Sequence, residues 1–159
     1  MDADRSAAGG LVFPNRSSFA FNGGGNWRWY EPNGINLPMR EARQCAALIE
    51  ATQGQVARDD FISAIMTKIK KAERGELEYP DDAKAGMARS PDINELKWRL
   101  EDDEWRLYYS EPIKLHAQRG MLGLHFDVKP DLDHQDRSID EAARRNKDWH
   151  ETVDTEYRQ

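Results

Sequence analysis

The sequence predicts an α+β domain: a small antiparallel sheet packed on two helices, closed by a third helix and preceded by a disordered tail. Three observations carry this expectation. Between residues 95 and 129, apolar side chains recur at every second position in three separate segments, the period of a half-buried strand. Between residues 38 and 74 they recur at three- and four-residue spacing, the period of a helix packed on one side. Glycine, proline and acidic clusters fall between these segments, where the chain must turn.

Residues 1–25 are rich in Ala, Gly, Ser and Asn and end in Gly23-Gly24-Gly25; without periodicity they read as a disordered tail. Trp27 and Trp29 then alternate with Arg28 and Tyr30 in a short strand stopped by Pro32-Asn33-Gly34. Pro38 suits the first turn of a helix whose stripe is Ala42, Cys45, Ala46 and Ile49, with Gly54 as its stop. A second helix follows, with Phe61, Ile65, Ile69 and Ala72 on its stripe and Gly75 at its end; Lys68, Lys70, Lys71 and Arg74 form its solvated face.

Residues 76–92 read as a loop, followed by three strands. Leu96, Trp98 and Leu100 alternate with Glu95, Lys97 and Arg99; Trp105, Leu107 and Tyr109 alternate with Arg106 and Tyr108. Leu122, Leu124, Phe126 and Val128 alternate with His125, Asp127 and Lys129. Ser138 and Glu141 are spaced as a capping box for a last helix carrying Ile139, Ala142, Ala143 and Trp149. The folded domain is therefore expected over 26–151, with a flexible end over 152–159.

Composition narrows the function classes. No apolar run is long enough to span a bilayer, so neither a membrane span nor a membrane partner is expected. The one cysteine, Cys45, excludes an internal disulfide, agrees with a reducing, cytoplasmic setting, and reads as a buried structural thiol. A net charge of -6 argues against broad nucleic-acid affinity and leaves room only for a local basic site. His116, His125, His134 and Asp127 lack familiar ligand spacing, so neither a metal nor a small-molecule cofactor is expected.

Alternation places Lys97, Arg99, Arg106, Tyr108, His125, Asp127 and Lys129 on one face of the sheet, opposite the helices. Such a face has the parts of a metal-free ribonuclease: a base or acid in His125, a bidentate phosphate ligand in Arg106 and a second cation in Lys129. A solvated face on which Arg and Lys pair with Glu95 and Asp127 has the same pattern.

From Phe61 to Trp149 the chain resembles the RelE/HigB-type toxin superfamily, particularly its phage-derived HigB-like branch. The matching pieces come in order: Lys70-Lys71-Ala72-Glu73-Arg74-Gly75, Asn94-Glu95-Leu96-Lys97, Trp105-Arg106-Leu107-Tyr108-Tyr109, Leu122 to Lys129, and Ile139 to Arg145. The resemblance implies a RelE-like sheet on helices and a cytoplasmic, ribosome-dependent mRNA endoribonuclease neutralised by an antitoxin. It implies Arg106 as the ligand of the scissile phosphate, Lys129 as one of the family's paired lysines and Lys97 at the place of a strand arginine. Together with the polar face, the expected catalytic residues are Arg106, His125 and Lys129 and the expected RNA contacts Lys97, Arg99 and Tyr108. Two departures point elsewhere. The family's paired lysines are reduced to Val128-Lys129, and the chain is acidic. They leave open a catalytically inactive, phage-encoded relative that binds a host or antitoxin protein.

Overall fold

The computed structural model describes residues 18–158 with the exception of Glu101. Its strands are β1 (Asn26–Trp29), β2 (Ala83–Lys84), β3 (Asn94–Leu100), β4 (Asp103–Ser110) and β5 (Gly120–Val128); its helices are α1 (Leu37–Gln53), α2 (Gln55–Glu73) and α3 (Leu132–Arg158). Asn36 caps α1 by accepting the Met39 N–H at 3.1 Å. Gly54, at φ 95°, both ends α1 and starts α2, a turn that L residues rarely adopt.

The sheet runs β1-β5-β4-β3-β2. It is mixed, not wholly antiparallel: β1 joins β5 in parallel, while the other pairs are antiparallel. Helices cover both faces, where the sequence pattern placed them on one. Phe61, Ile65 and Ile69 of α2 pack with Met39 and Ala42 of α1 on Leu96, Trp98, Trp105, Leu107 and Phe126. On the opposite face Ile139 and Ala142 of α3 pack on Ile93, Tyr108, Leu122 and Leu124.

Leu122 and Leu124 therefore lie on the α3 side, not beside Phe126 on the α1–α2 side as strict alternation predicts. A register shift is the cause. Tyr108 pairs with His125 but Tyr109 pairs with Gly123, so Leu124 is an extra residue in β5. Such a bulge breaks the period of two within one strand.

Two boundaries also differ from the sequence reading. The expected tail over residues 1–17 lies outside the described residues, but 18–25 are packed: Ala20 is fully buried and the Ser18 hydroxyl bonds the Tyr109 hydroxyl at 2.9 Å. Gly25 N–H donates to the Glu73 carbonyl at 2.9 Å, and a Cβ on Gly24 would sit 2.0 Å from that oxygen. The glycines are there for close backbone approach, a signal that composition alone confuses with disorder. The last helix starts at Leu132, where Asp131 Oδ1 accepts the His134 N–H at 2.7 Å, and it continues past 152 to Arg158. Ser138 is inside it, so the capping box does not form. Among the described residues no helix is long and apolar enough to cross a membrane.

Candidate nucleic-acid interface

The β3–β4 register sets Lys97 opposite Arg106, and the β4–β5 register sets Arg106 opposite Asp127. Lys129 follows the end of β5, tied by its N–H to the Glu104 carbonyl at 2.7 Å. These positions bring Lys97, Arg106 and Lys129 around one hollow of about 420 Å³, with Lys84 and Arg89 on its rim and the first turns of α3 as one wall. Lys84, Lys97 and Lys129 make no ion pair with any other described residue. Arg89 is held by Asp140 at 2.6 and 2.8 Å.

Arg106 is not free in the same way. It is 6% exposed, with Nη2 2.7 Å from Glu104 Oε1, Nη1 donating to the Trp105 carbonyl at 3.0 Å, and Nε 3.3 Å from Glu95 Oε2. Nε is buried without an acceptor in hydrogen-bond geometry. The Arg106 hydrogen bond holds the Glu104 carboxyl below its usual range. Glu95 is itself buried and also accepts from Gln135 Nε2 at 3.1 Å, so its partner must stay cationic for the pair to be tolerated.

His125 does not reach the hollow. Its ring stacks on Tyr108 (centroids 6.3 Å, 18°), with Nδ1 3.0 Å from both Glu41 oxygens and Nε2 3.7 Å from Asp127 Oδ2. Glu41 also accepts the Phe126 N–H at 3.1 Å and the Arg145 guanidinium at 2.7 and 3.0 Å; Arg145 in turn donates to the Leu124 carbonyl at 2.9 Å. β1 pairs β5 only as far as Gly123, so beyond it the edge of β5 has open N–H and C=O groups. Glu41 of α1 and Arg145 of α3 satisfy them, and His125 completes this closure.

Charge follows the same geometry. Burial alone would lower the His125 pKa, but Asp127 and Glu41 outweigh it and raise it. Burial would raise Asp127, yet its hydrogen bonds from the two imidazoles, Ser138 and the Val128 N–H bring it down to about 2. His134 Nε2 is 2.7 Å from that carboxylate. Cys45 is pushed up to about 11 by burial and by Asp127 and Glu41, which makes it a poor thiolate.

No family model, curated protein or solved structure matches the chain. The site is therefore read from its own residues. Of those expected to act, Arg106, Lys129 and Lys97 converge. Arg99 is exposed opposite Glu104 and outside the hollow. Tyr108, 1% exposed, lies beneath α3 beside Glu95 and Gln135, so it is not an open RNA contact. His125 is a linking residue, for the reason given above. The sequence reading missed Glu104, although its place two positions before Arg106 on the same strand face is a signal that could have found it. Lys84 on the far edge and Glu41 on α1 have no such signal, because only the tertiary fold brings them near. Among the described residues, no group of three or more His, Cys, Asp or Glu side chains is placed to hold a metal ion.

Proposed function

We propose that the chain is a RelE/HigB-like toxin that acts in the cytoplasm as a ribosome-dependent mRNA endoribonuclease, with an antitoxin as its partner. One observation carries the reading: Lys84, Lys97, Arg106 and Lys129 gather around a single hollow in a chain whose net charge is -6. A concave cationic site in an acidic protein concentrates positive potential where a phosphodiester would lie. The phosphate would replace Glu104, whose side chain is 39% exposed, on the Arg106 fork, while Glu95, 5% exposed, stays in place. Glu104 occupies one guanidinium nitrogen, Nη2, and a phosphate oxygen can accept from it in the same way, so that exchange keeps the guanidinium paired. Lys97 and Lys129 would then face the phosphoryl oxygens on which negative charge develops. As the 2′-oxygen bonds to phosphorus, the displaced Glu104 carboxylate would take its proton, and a lysine ammonium would protonate the 5′-oxygen that leaves.

A second reading has its own support. Arg106 is already neutralised by two carboxylates, and His125 is engaged in holding α1 to the sheet edge. Those facts favour a catalytically inactive, phage-derived relative that binds a host or antitoxin protein. Induced expression separates the two. Growth arrest with cut, translated mRNA is expected of the enzyme. Unchanged growth and intact mRNA would overturn it and leave protein binding as the function.

A further inference from the structure

A second cavity, of about 440 Å³, opens beside the C-terminal half of α3 and contains no Lys or Arg in its lining. Its polar walls are side chains fixed from behind. Asn94, 8% exposed, uses Oδ1 to accept the Gly86 N–H at 2.8 Å. Asn146 on α3 uses Oδ1 to accept the hydroxyl of Ser110, itself 2% exposed, at 2.7 Å. Because a backbone N–H can only donate, the atom facing Gly86 must be the Asn94 oxygen, and its NH₂ is left over. Neither carboxamide nitrogen has an acceptor among the described residues, and neither is sealed from solvent. Two pre-oriented NH₂ groups thus line one cavity, and each can donate to a ligand.

The surroundings decide the class of that ligand. Glu111 and Asp92 are in the wall against the single imidazole of His150, so a phosphate or carboxylate would meet more like charge than the wall can offset. The Glu111 carboxyl is raised by burial, which marks the site as poorly tolerant of further negative charge. Much of the remaining wall is apolar, with Ala85, Pro91, Pro112 and Ile113, the last 80% exposed, beside Ser18 and the His150 ring. A planar, uncharged group with hydrogen-bond acceptors on its edge fits both features.

We propose that this cavity receives an unpaired nucleobase, its acceptor edge held by Asn94 and Asn146 and its face against the prolines and Ile113. Single-stranded RNA is read in this manner, by edge hydrogen bonds and ring contacts to splayed bases. The proposal rests on the RNA reading of the hollow, which meets the first turns of α3, and adds to it a base subsite beside the helix's C-terminal half.

The test is a titration of the full-length protein with the four common nucleosides, followed by amide and side-chain NH₂ chemical shifts. Saturable shifts are expected at Asn94, Ser110 and Asn146. Asn94→Asp and Asn146→Asp keep the oxygen that Gly86 or Ser110 needs and remove the donor. Each should weaken binding by about tenfold, as loss of one hydrogen bond of about 1.4 kcal/mol does. Lys97→Ala/Lys129→Ala should leave nucleoside binding unchanged. Absence of saturable shifts, binding by the Asp variants equal to wild type, or tighter binding of a capped dipeptide would each overturn the assignment. Failure of the ribonuclease reading would look different: inert expression with nucleoside binding intact.

Discussion

The two faces of the sheet are held by different kinds of force. On the α1–α2 side, Phe61, Trp98, Trp105 and Phe126 form an aromatic cluster, with Trp105 stacked on Phe126 at 5.8 Å and Phe61 edge-on to Trp105 at 5.0 Å. On the α3 side a small apolar patch is bordered by directed contacts: Glu41 with Arg145 and His125, Asp127 with His134 and Ser138, Glu95 with Arg106. Dispersion and burial are tolerant of shape-conserving change, whereas a partly buried ion pair fails when one member is removed. The first face is held by burial and the second by charge, and of the second face's pairs Glu95 with Arg106 borders the hollow.

Truncating the aromatic face should give the largest effect. Phe126→Ala is expected to cost about 3–5 kcal/mol in urea unfolding, as large core deletions do. A loss below about 1 kcal/mol would mean that Phe126 is not in that core.

Breaking the polar face should come next. Glu41→Gln removes one of the two carboxylates that hold Arg145, Glu141 remaining at 2.6 Å, and also the partner of His125. It should cost about 2 kcal/mol, less than a fully buried pair because the Glu41 side chain is 21% exposed. Replacing both partners, as Glu41→Gln with Arg145→Met, should cost less than the sum of the single changes; strict additivity in that cycle would deny the coupling.

The same face should make stability depend on pH in two directions. His125 has a raised pKa in the folded state, so its contribution is complete below the ordinary value of 6.5 and is lost as pH rises through the raised one. Glu41 and Asp127 are lowered, so theirs is present above 4.5 and 3.8 and fades as pH falls, for Asp127 toward about 2. Stability should therefore peak between these limits. His125→Gln should flatten the alkaline limb, and an unchanged limb would remove His125 from the linkage.

The smallest stability effect belongs to the hollow. Lys97→Ala and Lys129→Ala should each stay within about 0.5 kcal/mol of wild type, since neither pairs with another described residue. Arg106→Ala is a poorer probe, because it strands the buried Glu95 carboxylate and mixes folding with function.

Much of the first face was legible in the sequence. The stripes Ala42/Ala46 and Phe61/Ile65/Ile69/Ala72 are the buried ones, and Trp98, Leu107 and Phe126 lie where alternation puts them. The second face was harder to read for physical reasons. One inserted residue, Leu124, reverses the side on which Leu122 and Leu124 fall, and a bulge has no periodic signature. Glu41 reads as a solvated helix position until the tertiary fold sets it beside the open edge of β5. In the site, Lys97, Arg106 and Lys129 share a face by strand parity alone, but the burial of His125 depends on α1 and α3 arriving from distant parts of the chain.

Cleavage of a translated mRNA by purified protein, in a reconstituted system with and without ribosomes, tests the cationic hollow most directly. The expected result is cutting that requires ribosomes, survives in wild type, and falls at least about a hundredfold in Lys97→Ala/Lys129→Ala of unchanged stability. Intact mRNA with wild-type protein, or equal cutting by the double variant, would contradict it.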